Sequence, residues 1–238
     1  MYNNEEIGVS AEVAIADVFN VAINAQYRLR SHPSIVSSLT PAVIQVFSSN
    51  SIPTPVQHIA EGQNPIDFIL AGSKTLSVKT NQKQLGKVAP QRVGQASSTT
   101  FFPFFVSVIP TDRVPALYAD KVLLFKATVF ASIDAMLEIY WDNLFECDYL
   151  VHFYEILSRS GAVSGSPKAV VFSKTKSPHW DRQAITFTKN SVETWNESNT
   201  VKYHGVTIGE FQIHNNRDNF KFRFNMAGIA ALTKLGLI

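Results

Sequence analysis

Asp67, Ser77 and Lys79 are the side chains whose types and spacing could do chemistry. They lie on Pro65-Ile66-Asp67-Phe68-Ile69-Leu70 and Thr75-Leu76-Ser77-Val78-Lys79-Thr80, which read as two β-strands joined by Ala71-Gly72-Ser73-Lys74. Side chains alternate along a strand, so Ser77 and Lys79 share a face. Whether Asp67 joins them depends on the turn. A two-residue Gly72-Ser73 turn pairs Asp67 with Val78, on a face that excludes Lys79. A three-residue Gly72-Ser73-Lys74 turn, or a β-bulge, puts Asp67 opposite Lys79. The surrounding charge is one-sided: no acid occurs between Asp67 and Asp112, while Lys74, Lys79, Lys83, Lys87 and Arg92 accumulate. A basic surface beside one carboxylate gathers phosphates and still offers a ligand to a metal ion.

Two further stretches carry side chains suited to a polyanion. Between Thr80 and Gln95, the residues Lys87, Gln91, Arg92 and Gln95 are of the types that clamp phosphates and read base edges, and Gly86 and Gly94 would let the backbone approach a ligand. Near the C-terminus Phe220, Phe222 and Phe224 alternate with Lys221 and Arg223, giving one apolar and one cationic face. Just ahead, Gln212, His214, Asn215, Asn216 and Arg217 form a cluster of base-reading types. The plain alternatives are a polar surface loop and an amphipathic strand with a basic outer face.

The Asp67 and Ser77-x-Lys79 hairpin resembles the catalytic hairpin of the PD-(D/E)xK nucleases, the superfamily containing most type II restriction endonucleases. Two departures stand out: Ile66 separates Pro65 from Asp67, and Ser77 occupies the usual acid position. The resemblance implies Mg²⁺ held by Asp67 and the Val78 carbonyl, with Lys79 orienting or deprotonating the attacking water. A serine in place of an acid asks for a substitute carboxylate. Glu12, in the small-residue apolar helix Ser10–Ala16, is the first candidate as catalytic residue and metal ligand. Glu61 is the second. An ordinary surface glutamate near a helix N-terminus is the alternative reading of Glu12. The resemblance further implies hydrolysis of double-stranded DNA by a homodimer, whose two-fold axis matches palindromic sites. It also implies a bacterial or archaeal cytoplasm shared with a methyltransferase that protects the same site. Gly209–His214 with Lys221-Phe222-Arg223 also looks like C-terminal segments of some type II restriction enzymes. A repair or structure-specific nuclease of the same fold, a catalytically inactive DNA-binding module, and a carbohydrate- or protein-binding β-rich domain are the other readings.

The positioning elements follow from pattern. The spacing predicts a helix over 3–30, begun by Asn3 with Glu6 and stopped at Ser31-His32-Pro33, then a short helix over 40–50. Phe101–Ile109 reads as a buried strand and 121–146 as one long helix. Strands are expected at Lys168–Ser173, Ala184–Thr188, Val206–Ile213 and Asn219–Phe224, and a last helix at Met226–Leu237. This mixture indicates an α/β (α+β) fold, a central mixed sheet flanked by helices and resembling a restriction-endonuclease core. The 238 residues fit one domain, with 1–150 as catalytic core and 160–225 as a strand-rich recognition part.

Composition bounds the rest. Hydrophobic content is 45% and net charge +2, and no apolar run approaches the ~20 residues of a membrane span. The polar N-terminus is unlike a signal peptide, and the single Cys147 suits a reducing compartment. Cys147 and His152 read as core rather than as a nucleophile pair, and the six histidines lack metal-ligand spacing. His214-Asn215-Asn216 lacks the second histidine of an HNH nuclease, and no phosphate loop or dinucleotide fingerprint occurs, so ATP is not implied.

Overall fold

The computed structural model describes residues 2–60, 64–214 and 218–238. Its helices are α1 (Asn4–Phe19), α2 (Ala25–Arg28), α3 (Pro33–Ser49), α4 (Phe101–Phe104), α5 (Tyr118–Ala131), α6 (Ile133–Leu144) and α7 (Met226–Lys234). The first strands are β1 (Pro55–His58), β2 (Phe68–Leu70), β3 (Lys74–Thr80), β4 (Lys87–Val88), β5 (Gln95–Ser97) and β6 (Tyr149–Tyr154). They are followed by β7 (Lys168–Ser173), β8 (Ile185–Phe187), β9 (Ser198–Tyr203), β10 (Val206–His214) and β11 (Asn219–Asn225). The strands form two sheets, one of them mixed, and helices accompany both, as the α/β expectation has it. Among the described residues no helix is long and apolar enough to cross a membrane.

Two compact units arise, and the chain enters each of them twice. One comprises the chain up to Gly86 with Phe145–Thr175; the other comprises Lys87–Leu144 with Lys176–Ile238. The segments 1–150 and 160–225 therefore each contribute to both.

In the first unit, Asn3 caps α1 as expected, its side chain accepting the Glu6 amide at 2.8 Å. The helix does not run on to residue 30. Asn20 adopts the left-handed conformation (φ 54°), its amide returning to Ala16 and Asp17, and closes α1. Pro33, read as a stop, instead opens α3, where its missing N–H leaves nothing unsatisfied. Helices α1 and α3 cover one face of the sheet ordered β1-β2-β3-β6-β7. Ile7, Ala11, Ile15, Ile35, Leu39 and Val43 meet Phe68, Leu70, Leu76, Val78, Val151 and Phe153 in that core. Each large side chain among them contributes about 1.5–3 kcal/mol on burial. Among the described residues of this sheet, only the β3–β6 pairing is parallel. Period-two alternation turns Leu76 and Val78 into the core and Ser77 and Lys79 to the opposite face.

The second unit is built on an antiparallel sheet ordered β4-β11-β10-β9-β8, with β5 also paired to β11. Its inward face is aromatic: Phe211, Phe220, Phe222 and Phe224 are fully buried. Phe125 stacks on Phe220 at 4.4 Å, and Tyr140 tilts against Phe222 at the same distance. The predicted strand Phe101–Ile109 is not a strand but α4 followed by turns. Its buried members Phe101, Phe102, Phe105 and Ile109 follow helical spacing, and Pro103 could not donate to a ladder. The long helix over 121–146 is two helices broken at Ser132 (φ −142°). Strands β1, β4, β5, β6 and β9 lie outside the strands read from sequence.

Gly228, in the first turn of α7, packs so closely on β10 that a Cβ there would run into the Thr207 carbonyl. Gly228→Ala should lower the unfolding free energy by about 2–3 kcal/mol, measured by urea denaturation, because backbone is a harder obstacle than a side chain. An unchanged midpoint would contradict that close approach.

Candidate active site

The hairpin takes neither register foreseen from its turn. Strands β2 and β3 pair as Phe68↔Leu76, Ile69↔Thr75 and Leu70↔Lys74, so the connection is the three residues Ala71-Gly72-Ser73. Gly72 (φ 73°) and Ser73 (φ 58°) both take left-handed conformations, which glycine adopts without strain. One step before Phe68, Asp67 comes opposite Ser77 rather than Val78 or Lys79. That register keeps Asp67 in phase with both Ser77 and Lys79.

The Asp67 carboxylate completes the hairpin ladder. Its Oδ2 accepts the Val78 amide at 2.5 Å and the Ser77 hydroxyl at 3.2 Å, while its own amide bonds the Leu76 carbonyl at 2.9 Å. The residue is 6% exposed. Burial pushes its carboxyl up to about 6; Lys79 and the two hydrogen bonds pull it down, and Glu12 adds to the rise. Asp67, Lys79 and Glu12 therefore share one electrostatic site. The serine in the acid position is a hydrogen-bond donor to Asp67.

Glu12 is not a surface residue. It is 8% exposed on α1, whose small neighbours Ala11, Ala14 and Ala16 are buried with it. Its Oε2 receives the Tyr27 hydroxyl and His58 Nε2, each at 2.8 Å. Burial and the Glu12 charge hold the Tyr27 hydroxyl far above its usual value, so it remains a donor. Among the described residues, the hydrogen bonds to each carboxylate end on one oxygen, which leaves Glu12 Oε1 and Asp67 Oδ1 for another ligand. Two buried acids, one of which raises the carboxyl of Asp67, are a donor set that a hard cation relieves. Among the described residues no group of three or more His, Cys, Asp or Glu is arranged to hold a metal. Mg²⁺ takes one or two carboxylates and keeps several waters, so two carboxylates are a donor set of the kind it uses. The second candidate acid, Glu61, lies outside the described residues.

Lys79 lies half-buried in register with His152 across the parallel pair. Asn81 Oδ1 accepts the Gly86 amide at 2.9 Å and also meets His152 Nε2 at 2.8 Å, so Nε2 must be the donor. Burial and the Lys79 charge hold His152 down to about 4. Burial pushes the Cys147 thiol up to about 11, which keeps it protonated and unreactive at neutral pH.

The described residues singled out for DNA contact fall in the second unit. Glu210 Oε2 gathers three side chains: Lys87 Nζ at 2.8 Å, an Arg223 guanidinium nitrogen at 2.8 Å and Gln212 Nε2 at 3.1 Å. Gln95, Lys221 and Gln212 stand in register across β5, β11 and β10. Gln91 and Arg92 occupy the turn before β5, and His214 ends β10 with its carbonyl 3.5 Å from the Tyr118 hydroxyl. Asn215, Asn216 and Arg217 lie outside the described residues. Gly94 serves the fold itself: a Cβ there would collide with Pro90, and its carbonyl accepts the Phe222 amide.

Sequence reasoning missed Tyr27, His58 and Glu210. His58 is made significant by the cross-strand pair His58↔Phe68, a long-range fact without a local signal. Glu210 was visible only as one acid among cations.

The chain is 27% identical over 231 residues, or 96% of its length, to the type II restriction enzyme CviAII of Paramecium bursaria Chlorella virus 1. The chain spans 60% of that relative's length. No family model matches the chain. No solved structure matches it.

Asp67 also gives a stability signature. Its folded carboxyl lies above the ordinary 3.8, so its ionisation opposes folding. That penalty is absent below 3.8, grows towards about 6 and is full above it. Asp67→Asn should therefore raise stability at pH 8 by about 2–3 kcal/mol, and the gain should shrink towards pH 4. Urea denaturation at the two pH values checks this; a gain equal at both would mean the carboxyl is not perturbed.

Proposed function

We propose that this chain is a type II site-specific endonuclease that hydrolyses phosphodiester bonds in double-stranded DNA with Mg²⁺. The observation that carries the reading is the hairpin register, which sets Asp67, Ser77 and Lys79 in phase while burying Asp67 beside Glu12. The similarity to a type II restriction enzyme over most of the chain supports it.

Asp67 Oδ1, Glu12 Oε1 and the Val78 carbonyl are the oxygens that would hold Mg²⁺. Bound there, the ion would supply Lewis acidity to the scissile phosphate and make its bound water more acidic. Ser77 donates to Asp67 Oδ2 and so steadies the opposite oxygen for this task. The Lys79 ammonium, on the same face, orients the attacking water and offsets charge developing on the phosphate. Cleavage leaves a 5′-phosphate and a 3′-hydroxyl, as the resemblance to PD-(D/E)xK enzymes implies.

The polar outer face of the second sheet supplies DNA contacts in this reading. Lys87, Arg92, Lys221 and Arg223 are the cations and Gln91, Gln95, Gln212 and His214 the amide and imidazole readers; Asn215, Asn216 and Arg217 belong to the same set by residue type. Glu210 would hold Lys87 and Arg223 in place before DNA arrives. A homodimer would read a palindromic site, and a methyltransferase in the same cytoplasm would protect host copies.

Unmethylated phage DNA incubated with Mg²⁺ should yield discrete fragments on a gel, and none with EDTA. Asp67→Ala and Lys79→Ala should each abolish cleavage by at least about 100-fold while retaining DNA binding. A smear would favour a repair or non-specific nuclease, and intact DNA an inactive binding module.

Cleavage should also fall as pH drops through about 6, where Asp67 takes up a proton and loses its ligand charge. Raising Mg²⁺ should move that acid limb downward, since the cation competes with the proton. A limb indifferent to Mg²⁺ would remove Asp67 as the titrating ligand.

A further inference from the structure

We propose that His58 and Tyr27 are positioning residues that set the divalent-cation affinity of the Glu12–Asp67 pair. The proposal rests on the endonuclease reading and extends it to two side chains that touch neither DNA nor metal. Both donate to the same oxygen, Glu12 Oε2, at 2.8 Å. A carboxylate pinned at one oxygen by two donors of different direction has little rotational freedom, so Oε1 is aimed rather than free to swing.

His58 also reaches the other acid, through the backbone. It pairs with Phe68, which follows Asp67, and the next amide, Ile59, donates to the Asp67 carbonyl at 2.9 Å. Its buried ring is wedged edge-on between Tyr27 at 4.9 Å and Phe68 at 5.0 Å. Tyr27 is held in turn by the Arg30 guanidinium 4.9 Å over its ring, and Arg30 is paired with Glu5. One imidazole thus fastens α1 to the start of β2 and fixes the relation between the two carboxylates. Ligand supports of this kind are worth about 10–100-fold in metal affinity.

The test is Mn²⁺ binding to the full chain without DNA, by isothermal titration calorimetry, with urea unfolding of each variant recorded separately. Tyr27→Phe, which keeps the ring and removes the donor, and His58→Leu should each weaken Mn²⁺ by about 10–100-fold. His58→Gln, which retains an N–H donor, should recover most of the affinity. Wild-type affinity in both Tyr27→Phe and His58→Leu would overturn the positioning role and leave the endonuclease reading intact. Equal loss in His58→Gln and His58→Leu would remove the hydrogen bond as the cause. If His58→Leu does not fold, Tyr27→Phe decides alone. A wild-type chain that binds no Mn²⁺ would overturn the metal site, and this proposal with it.

Discussion

A single carboxylate oxygen closes the ladder of the β2–β3 hairpin. Where β2 has not yet begun, the Val78 amide still needs an acceptor, and Asp67 Oδ2 provides it inside the protein. An unpaired buried amide is expensive, so the carboxylate cannot rotate away without orphaning one. The consequence is rigidity at a charged group. The backbone pairing of β2 with β3 sets the register, and that bond fixes where the carboxylate sits on the face shared with Ser77 and Lys79. Glu12, on α1, lies within electrostatic reach of that carboxylate and raises it further.

The two units handle charge in opposite ways. In the first, two acids are buried near one another, and burial and Glu12 disfavour ionisation of Asp67 while one half-buried lysine partly offsets this. In the second, one acid is surrounded by donors: Lys87, Arg223 and Gln212 converge on Glu210, whose carboxyl is held below its usual range by Lys87 and Arg223 despite burial. A cluster deficient in positive charge invites a cation. A sheet face whose cations are ordered by a central acid presents them at fixed spacing, with little rotamer entropy left to lose on meeting an anion.

Local signals in the sequence were read correctly where the physics is local. The Asn3 cap and the strand limits at Lys168–Ser173 needed only neighbouring residues. Glu12 stood out as an acid in an otherwise apolar, small-residue helix, although a surface glutamate near a helix N-terminus was the competing reading. The hairpin was recognisable but its register was not, since a turn beginning at Ala71 and one beginning at Gly72 differ by a single unit that sequence does not mark. Phe101–Ile109 misled for a related reason: a continuous apolar run carries no period, and its helical spacing emerges only when burial is known. His58 and Glu210 owe their importance to partners many residues away, Glu12 and Lys87, and nothing near either residue announces them.

The parallel pairing of β3 with β6 bears on how the molecule is made. Leu76 meets Tyr149 and Lys79 meets His152, so β3 finds its second neighbour only after the whole of Lys87–Leu144 has been synthesised. The β2–β3 hairpin can form early from nearby residues, but closing so long a loop comes late and slowly. Throughout that interval a growing chain carries β3 as an open edge, with its amides and carbonyls unmatched along one side. The strand bearing Lys79 is therefore both the centre of the candidate site and a segment open to misassociation while the chain is being made.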